Sequence, residues 1–92
     1  MRHLFIINPQ AGKGKTKEII LRKEKACKKE SVDYIIEFTK RVGHAKEIAK
    51  EYTSKEAMRV YSVGGDGTLN EVLNGMAESD SSLAVIPSGS GN

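Results

Sequence analysis

Ninety-two residues with a net charge of +3, 38% hydrophobic residues and a single cysteine set early limits. A chain of this length holds one domain with a modest core. Its apolar runs fall far short of the roughly 18 residues that span a bilayer, and a lone Cys27 forms no internal disulfide, which fits a reducing cytoplasm.

Met1, Arg2 and His3 lead directly into Leu4-Phe5-Ile6-Ile7, too short an apolar run for a secretory leader. Those four residues read as a strand, stopped by Asn8-Pro9 because proline fixes φ and donates no backbone hydrogen bond. Gln10-Ala11-Gly12-Lys13-Gly14-Lys15-Thr16 forms a loop. Residues 16–29 then read as a helix with Ile19, Ile20, Ala26 and Cys27 as a thin apolar stripe, Cys27 being packing material rather than a nucleophile. Between positions 13 and 30 eight Lys/Arg face three Glu, a net of +5. A solvated basic face is the reading, against an anionic lipid surface or a nucleic-acid patch; no aromatic residue interleaves the charges, so no nucleic-acid partner is expected.

Residues 32–38 are β-rich and read as a second strand, 39–44 as a turn, and 44–53 as a helix with Ala45, Ile48, Ala49 and Tyr52 on one face. Val60-Tyr61-Ser62-Val63 is the third strand. Gly64-Gly65-Asp66-Gly67 turns into a third helix over 69–77, with Thr68 and Glu71 spaced as a capping box and Leu69, Val72, Leu73 and Met76 at core spacing. Leu83 to Ile86 is the fourth strand, and Pro87-Ser88-Gly89-Ser90-Gly91-Asn92 follows it.

The βαβαβαβ order predicts an α/β, three-layer domain with a parallel sheet between helices. Ligands of such sheets bind outside the carboxyl ends of the strands. Gly12 and Gly14, Gly43, Gly64 to Gly67, and Gly89 and Gly91 each follow a strand, so four glycine-bearing loops meet at one edge. The third is a strand, a glycine turn and a helix start, which suits a phosphate: the backbone can approach closely, and free N–H groups and the helix dipole favour negative charge. Asp66 belongs beside a phosphate only if a divalent cation bridges the two, or if it holds the loop's own N–H groups.

Other motifs fail on spacing. Gly14-Lys15-Thr16 has Pro9 where a Walker A loop needs glycine, and a dinucleotide fingerprint would meet Lys17 at its third position. His3, His44 and Cys27 lack metal-ligand spacing, no serine has a neighbouring base, and no carboxylate pair suits glycoside chemistry.

Ile7-Asn8-Pro9 with Ala11-Gly12-Lys13-Gly14, Thr39 with Gly43-His44-Ala45, Gly64-Gly65-Asp66-Gly67-Thr68-Leu69-Asn70-Glu71-Val72, and Ile86-Pro87-Ser88-Gly89-Ser90-Gly91-Asn92 together resemble the ordered motifs of the diacylglycerol kinase catalytic domain of bacterial lipid kinases. Sphingosine and ceramide kinases share the pattern. NAD kinases share Gly-Gly-Asp-Gly, but the Asn-Pro opening and the Leu-Asn-Glu-Val run point to the lipid side. The resemblance implies that 1–92 is an NAD kinase/diacylglycerol kinase-like N-terminal domain. It implies ATP-dependent, Mg²⁺-assisted phosphorylation of a lipid hydroxyl, such as that of diacylglycerol, by a cytoplasmic protein meeting the inner membrane surface peripherally. Carried over by position, Asn8, Thr39, Gly64, Gly65, Asp66, Gly67, Thr68, Leu69, Asn70, Ser88, Gly89 and Ser90 would border ATP, with Asp66 acting through Mg²⁺ or ordering the loop. The family usually has threonine at the position of Ser90, a change that keeps the hydroxyl. Its members continue into a β-rich domain that supplies the general base, metal ligands and much of the lipid cleft. No catalytic residue is assigned here, and the chain is expected to be inactive alone. The alternatives are a non-catalytic nucleotide- or phosphate-binding module, an NAD kinase-like fragment, or a structural domain whose glycines serve only turns.

Overall fold

The computed structural model describes residues 1–10 and 15–87. Seven elements alternate along the chain: β1 (His3–Ile7), α1 (Lys15–Lys29), β2 (Tyr34–Phe38), α2 (His44–Thr53), β3 (Arg59–Gly64), α3 (Asp66–Gly75) and β4 (Ser82–Pro87). All three strand pairings are parallel, in the order β2-β1-β3-β4, with Leu4 opposite both Ile35 and Val60, and Val60 opposite Leu83.

Because side chains alternate across a strand, each face of the sheet collects its own apolar set. Leu4, Ile6 and Val60 pack with Ala45, Ile48 and Ala49 of α2 and with Val72 of α3. On the other face Phe5, Ile7 and Val63 pack with Cys27 of α1. The molecule therefore has the expected three layers, with α1 on one side and the α2–α3 pair on the other. The interior strand β1 is the best protected, its Leu4, Ile6 and Ile7 having no exposed surface.

Several expected boundaries and faces move. Residues 32 and 33 do not begin β2, because Val32 is needed to end α1. Its N–H donates to Cys27 O at 2.8 Å while Ser31 N–H donates to Lys28 O at 3.3 Å, and Ser31 lies in the left-handed region at φ 57°. That pair of bonds is a Schellman ending, completed by Val32 packing with Cys27. Ala26 is exposed and its place in the α1 stripe is taken by buried Thr16. Val72 and Met76 are buried as expected, but Leu73, expected in the core, is 48% exposed, and Thr68 is buried instead. The helix also begins three residues earlier than expected, at Asp66, with Gly65 as its N-cap.

Gly75 sets the distance between α2 and α3. A Cβ there would stand 2.4 Å from Lys46 O and 2.8 Å from the Ala49 Cβ, so the two helices touch through backbone.

Candidate functional site

The strand order places a topological switch point between β1 and β3. From β1 the chain leaves to α1 on one face, and from β3 it leaves to α3 on the other, so a crevice opens outside their carboxyl ends, where open α/β sheets bind ligands. Asn8 and Gly64 stand on either side of it. Asn8 N–H donates to Val63 O at 3.0 Å, tying the two strand exits together, and the Asn8 Oδ1 accepts from Gln10 N–H at 3.0 Å, folding the start of the next loop back on itself.

The glycines at β3's exit divide into two kinds. Gly64, at φ 156°, is required by its surroundings: a Cβ there would lie 2.9 Å from Thr68 Oγ1 and 3.3 Å from the Asn8 Cβ. Gly65 and Gly67 are not. Neither has a positive φ, and a Cβ on either would meet no described atom within 4 Å. Glycine is favoured over alanine at an N-cap, which accounts for Gly65. Gly67, inside the first turn, lowers helix stability relative to alanine while no described neighbour demands it, which points to something outside the chain that approaches the backbone.

The head of α3 is also uncapped. Gly65 has no side chain to accept from the first N–H groups, and among the described residues no side-chain capping hydrogen bond replaces it. The expected Thr68–Glu71 capping box does not form. Thr68 is buried beneath Gly64, and the Glu71 carboxylate is engaged elsewhere: Oε2 accepts from Gly43 N–H at 3.0 Å and Oε1 from Ala45 N–H at 3.1 Å. Glu71 thus caps α2 from a neighbouring helix, because the α2 N-cap, Gly43 at φ 86°, has no side chain of its own. Of the α2 and α3 N-termini, the first is filled by a carboxylate and the second has no side-chain cap among the described residues.

A cleft of about 380 Å³ runs between these elements. Asn8, Pro9 and Gln10 form its floor, the turn after β2 (Thr39, Lys40, Arg41, Val42 and Ala45) one wall, and Gly67, Thr68 and Glu71 the other. Of the residues carried over by resemblance, Asn8, Thr39, Gly67 and Thr68 line this cleft. Gly64, Gly65 and Asp66 lie at the β3–α3 junction beside it, and Leu69 and Asn70 continue along α3 without lining it. Ser88, Gly89 and Ser90, like the loop glycines 12 and 14, lie outside the described residues. The turn is well tied. Thr39 N–H donates to Ile7 O at 2.8 Å, Lys40 N–H to His44 Nδ1 at 2.9 Å, and the Arg41 guanidinium donates twice to the Glu47 carboxylate, which holds that carboxyl below its ordinary value. Asp66 is exposed in the first turn of α3, and no group of three or more His, Cys, Asp or Glu among the described residues could hold a metal ion. A larger groove, about 710 Å³, lies at the opposite edge between the far ends of α2 and α3, near Ala57, Ser79 and Asp80. It is lined by the carboxyl-terminal ends of the two helices and, among the described residues, carries no helix head.

The profile of the diacylglycerol kinase catalytic domain matches residues 2–92. The chain belongs to that family. It is 41% identical to sphingoid long chain base kinase 4 of Schizosaccharomyces pombe, over 99% of this chain and 22% of that protein, and 33% identical to a diacylglycerol kinase of Bacillus subtilis, over 99% of this chain and 31% of the other. A crystal structure of a diacylglycerol kinase from Bacillus anthracis strain Sterne superposes with a TM-score of 0.78 at 35% identity, covering 94% of this chain and 32% of that one. The chain spans less than a third of the length of these family members, and its relatives are lipid kinases. No described helix is long and apolar enough to cross a membrane.

Proposed function

We propose that this chain is the nucleotide-binding part of an ATP-dependent lipid kinase, with the phosphates of ATP at the open head of α3. The observation that carries this reading is Gly67, whose missing side chain leaves space that no described neighbour uses. The first N–H groups of α3 would orient phosphate oxygens, and the Gly65 and Gly67 backbone permits them to come close. Asn8 and Thr39 would border the rest of the nucleotide from the floor and the facing wall. Asp66 is one carboxylate without a cluster, which fits Mg²⁺ better than a protein-caged ion, because Mg²⁺ takes one or two carboxylates together with phosphate oxygens and water. When bound, Mg²⁺ supplies charge neutralisation among those oxygens.

Glu71 is the only carboxylate lining the described cleft, and both its oxygens are occupied. No side chain there is placed to take a proton from a lipid hydroxyl, so the general base and the acceptor site are assigned to residues beyond this chain, and 1–92 alone is inactive in transfer. The lipid named by relatives, a sphingoid base or a diacylglycerol, would be met peripherally at a membrane surface.

An amide NMR titration with Mg·ATP tests the reading. Shifts should cluster at Thr39 and at residues 65–68, and Asp66→Asn, once shown to fold, should weaken them when Mg²⁺ is present but not when it is absent. A folded chain without shifts at millimolar Mg·ATP contradicts it.

A further inference from the structure

We propose that Glu71 is a positioning residue for the nucleotide cleft, joining the turn after β2 to the helix that presents the phosphate site. The proposal rests on the nucleotide reading above and adds to it a residue that touches no ligand. The turn at 39–44 keeps its own shape through Lys40 N–H to His44 Nδ1, His44 N–H to Arg41 O and the Arg41–Glu47 pair, and is tied to β1 through Thr39. None of these bonds reaches α3. Among the hydrogen bonds of the described residues, only those from Gly43 and Ala45 to Glu71 link the two walls of the cleft.

The chemistry suits that task. Gly43 and Ala45 supply N–H groups at the head of α2 that the helix itself cannot satisfy, and a carboxylate there meets the positive end of the helix dipole. One carboxylate offers a separate, negatively charged oxygen to each of the two donors, whereas an amide offers one oxygen beside a donating NH2 and a hydroxyl a single neutral oxygen. The same engagement explains how an acidic side chain is tolerated in a cleft assigned to an anion, since its charge is directed into α2 instead of toward the ligand.

Glu71→Gln separates a positioning role from a spectator charge because the two predict opposite signs. Loss of a spectator carboxylate beside an anion leaves Mg·ATP binding unchanged or makes it tighter. Loss of a clamp frees one wall and weakens binding. We expect the Kd for Mg·ATP to rise several-fold in Glu71→Gln, which keeps one acceptor oxygen, and about tenfold in Glu71→Ala, the factor that corresponds to one lost hydrogen bond to a charged group. Hydrogen exchange should accelerate at the Gly43 and Ala45 amides in both. Val60→Ala, in the core at the far half of β3, serves as the control for lost stability and should leave Kd unchanged. Wild-type or tighter binding by folded Glu71→Gln, or equal weakening by Val60→Ala, overturns the proposal alone. A wild-type chain that binds no Mg·ATP overturns the nucleotide reading and the proposal with it.

Discussion

Single residues at this edge are chosen for what lies next to them. Gly64 and Gly43 each have an internal reason, respectively a crowded Cβ position and a left-handed backbone, as does Gly75 at the far end of α3, where another helix is in contact; Gly65 serves as an N-cap, and Gly67 has no such reason among the described residues. At the opposite end of β1 the same logic applies to a titrating group. His3 Nδ1 lies 3.1 Å from the Tyr61 hydroxyl and 3.9 Å from Cys27 Sγ, and its ring leans on Tyr61, itself stacked on Phe5 at 4.4 Å. Burial, followed by the charges of Arg59 and the N-terminus, lowers the His3 pKa below its ordinary 6.5. A group whose folded pKa is depressed holds its proton more readily when unfolded, so stability is full above 6.5 and declines as pH falls through the folded value. Thermal unfolding between pH 7.5 and 5.5 should show Tm dropping below pH 6.5 in the wild type and flattening in His3→Gln; parallel curves would remove His3 as the cause. The Cys27 thiol is pushed up by the same burial, in keeping with packing material and not a nucleophile.

Between elements, the tightest constraint is the α2–α3 contact. Gly75→Ala puts a methyl 2.4 Å from a backbone carbonyl that cannot rotate away, so it should destabilise the fold by about 1–3 kcal/mol, read as a lowered denaturation midpoint with an unchanged slope. An unchanged midpoint would mean the helices slide apart freely. This contact was not legible in the sequence, because no local pattern shows which face of one helix another will press against. The element order, by contrast, was legible because each strand is a compact β-rich run and each loop that follows a strand carries glycine, and α2 was placed at its observed bounds by its Ala45, Ile48, Ala49 and Tyr52 stripe. On α3, Val72 and Met76 were rightly placed in the core and Leu73 was not; the cap was misread because Glu71 sits at capping-box spacing, but its partner is a different helix. Local spacing cannot reveal a cap supplied across 26 to 28 residues. Val32 was misassigned in the same way, its β propensity overruled by its use in ending α1. Tyr52, rightly placed facing the sheet, bonds Glu37 on β2, which pushes its hydroxyl up to about 12.

Across the whole molecule, sheet order decides where chemistry can occur. The glycine loops could be assigned to one edge from strand and helix order alone; the position of the crevice between β1 and β3 could not, because it depends on β2 and β4 taking the outer places. The family match covers residues 2–92, and the chain spans less than a third of the length of these relatives. The open head of α3 is proposed as the phosphate site. Gly67→Ala tests it most directly, through stability and Mg·ATP affinity measured on the same sample. The account predicts that alanine fits without strain and raises stability by about 0.5–1 kcal/mol while Mg·ATP binding is lost. A variant that is stabilised and binds Mg·ATP as the wild type does would contradict it.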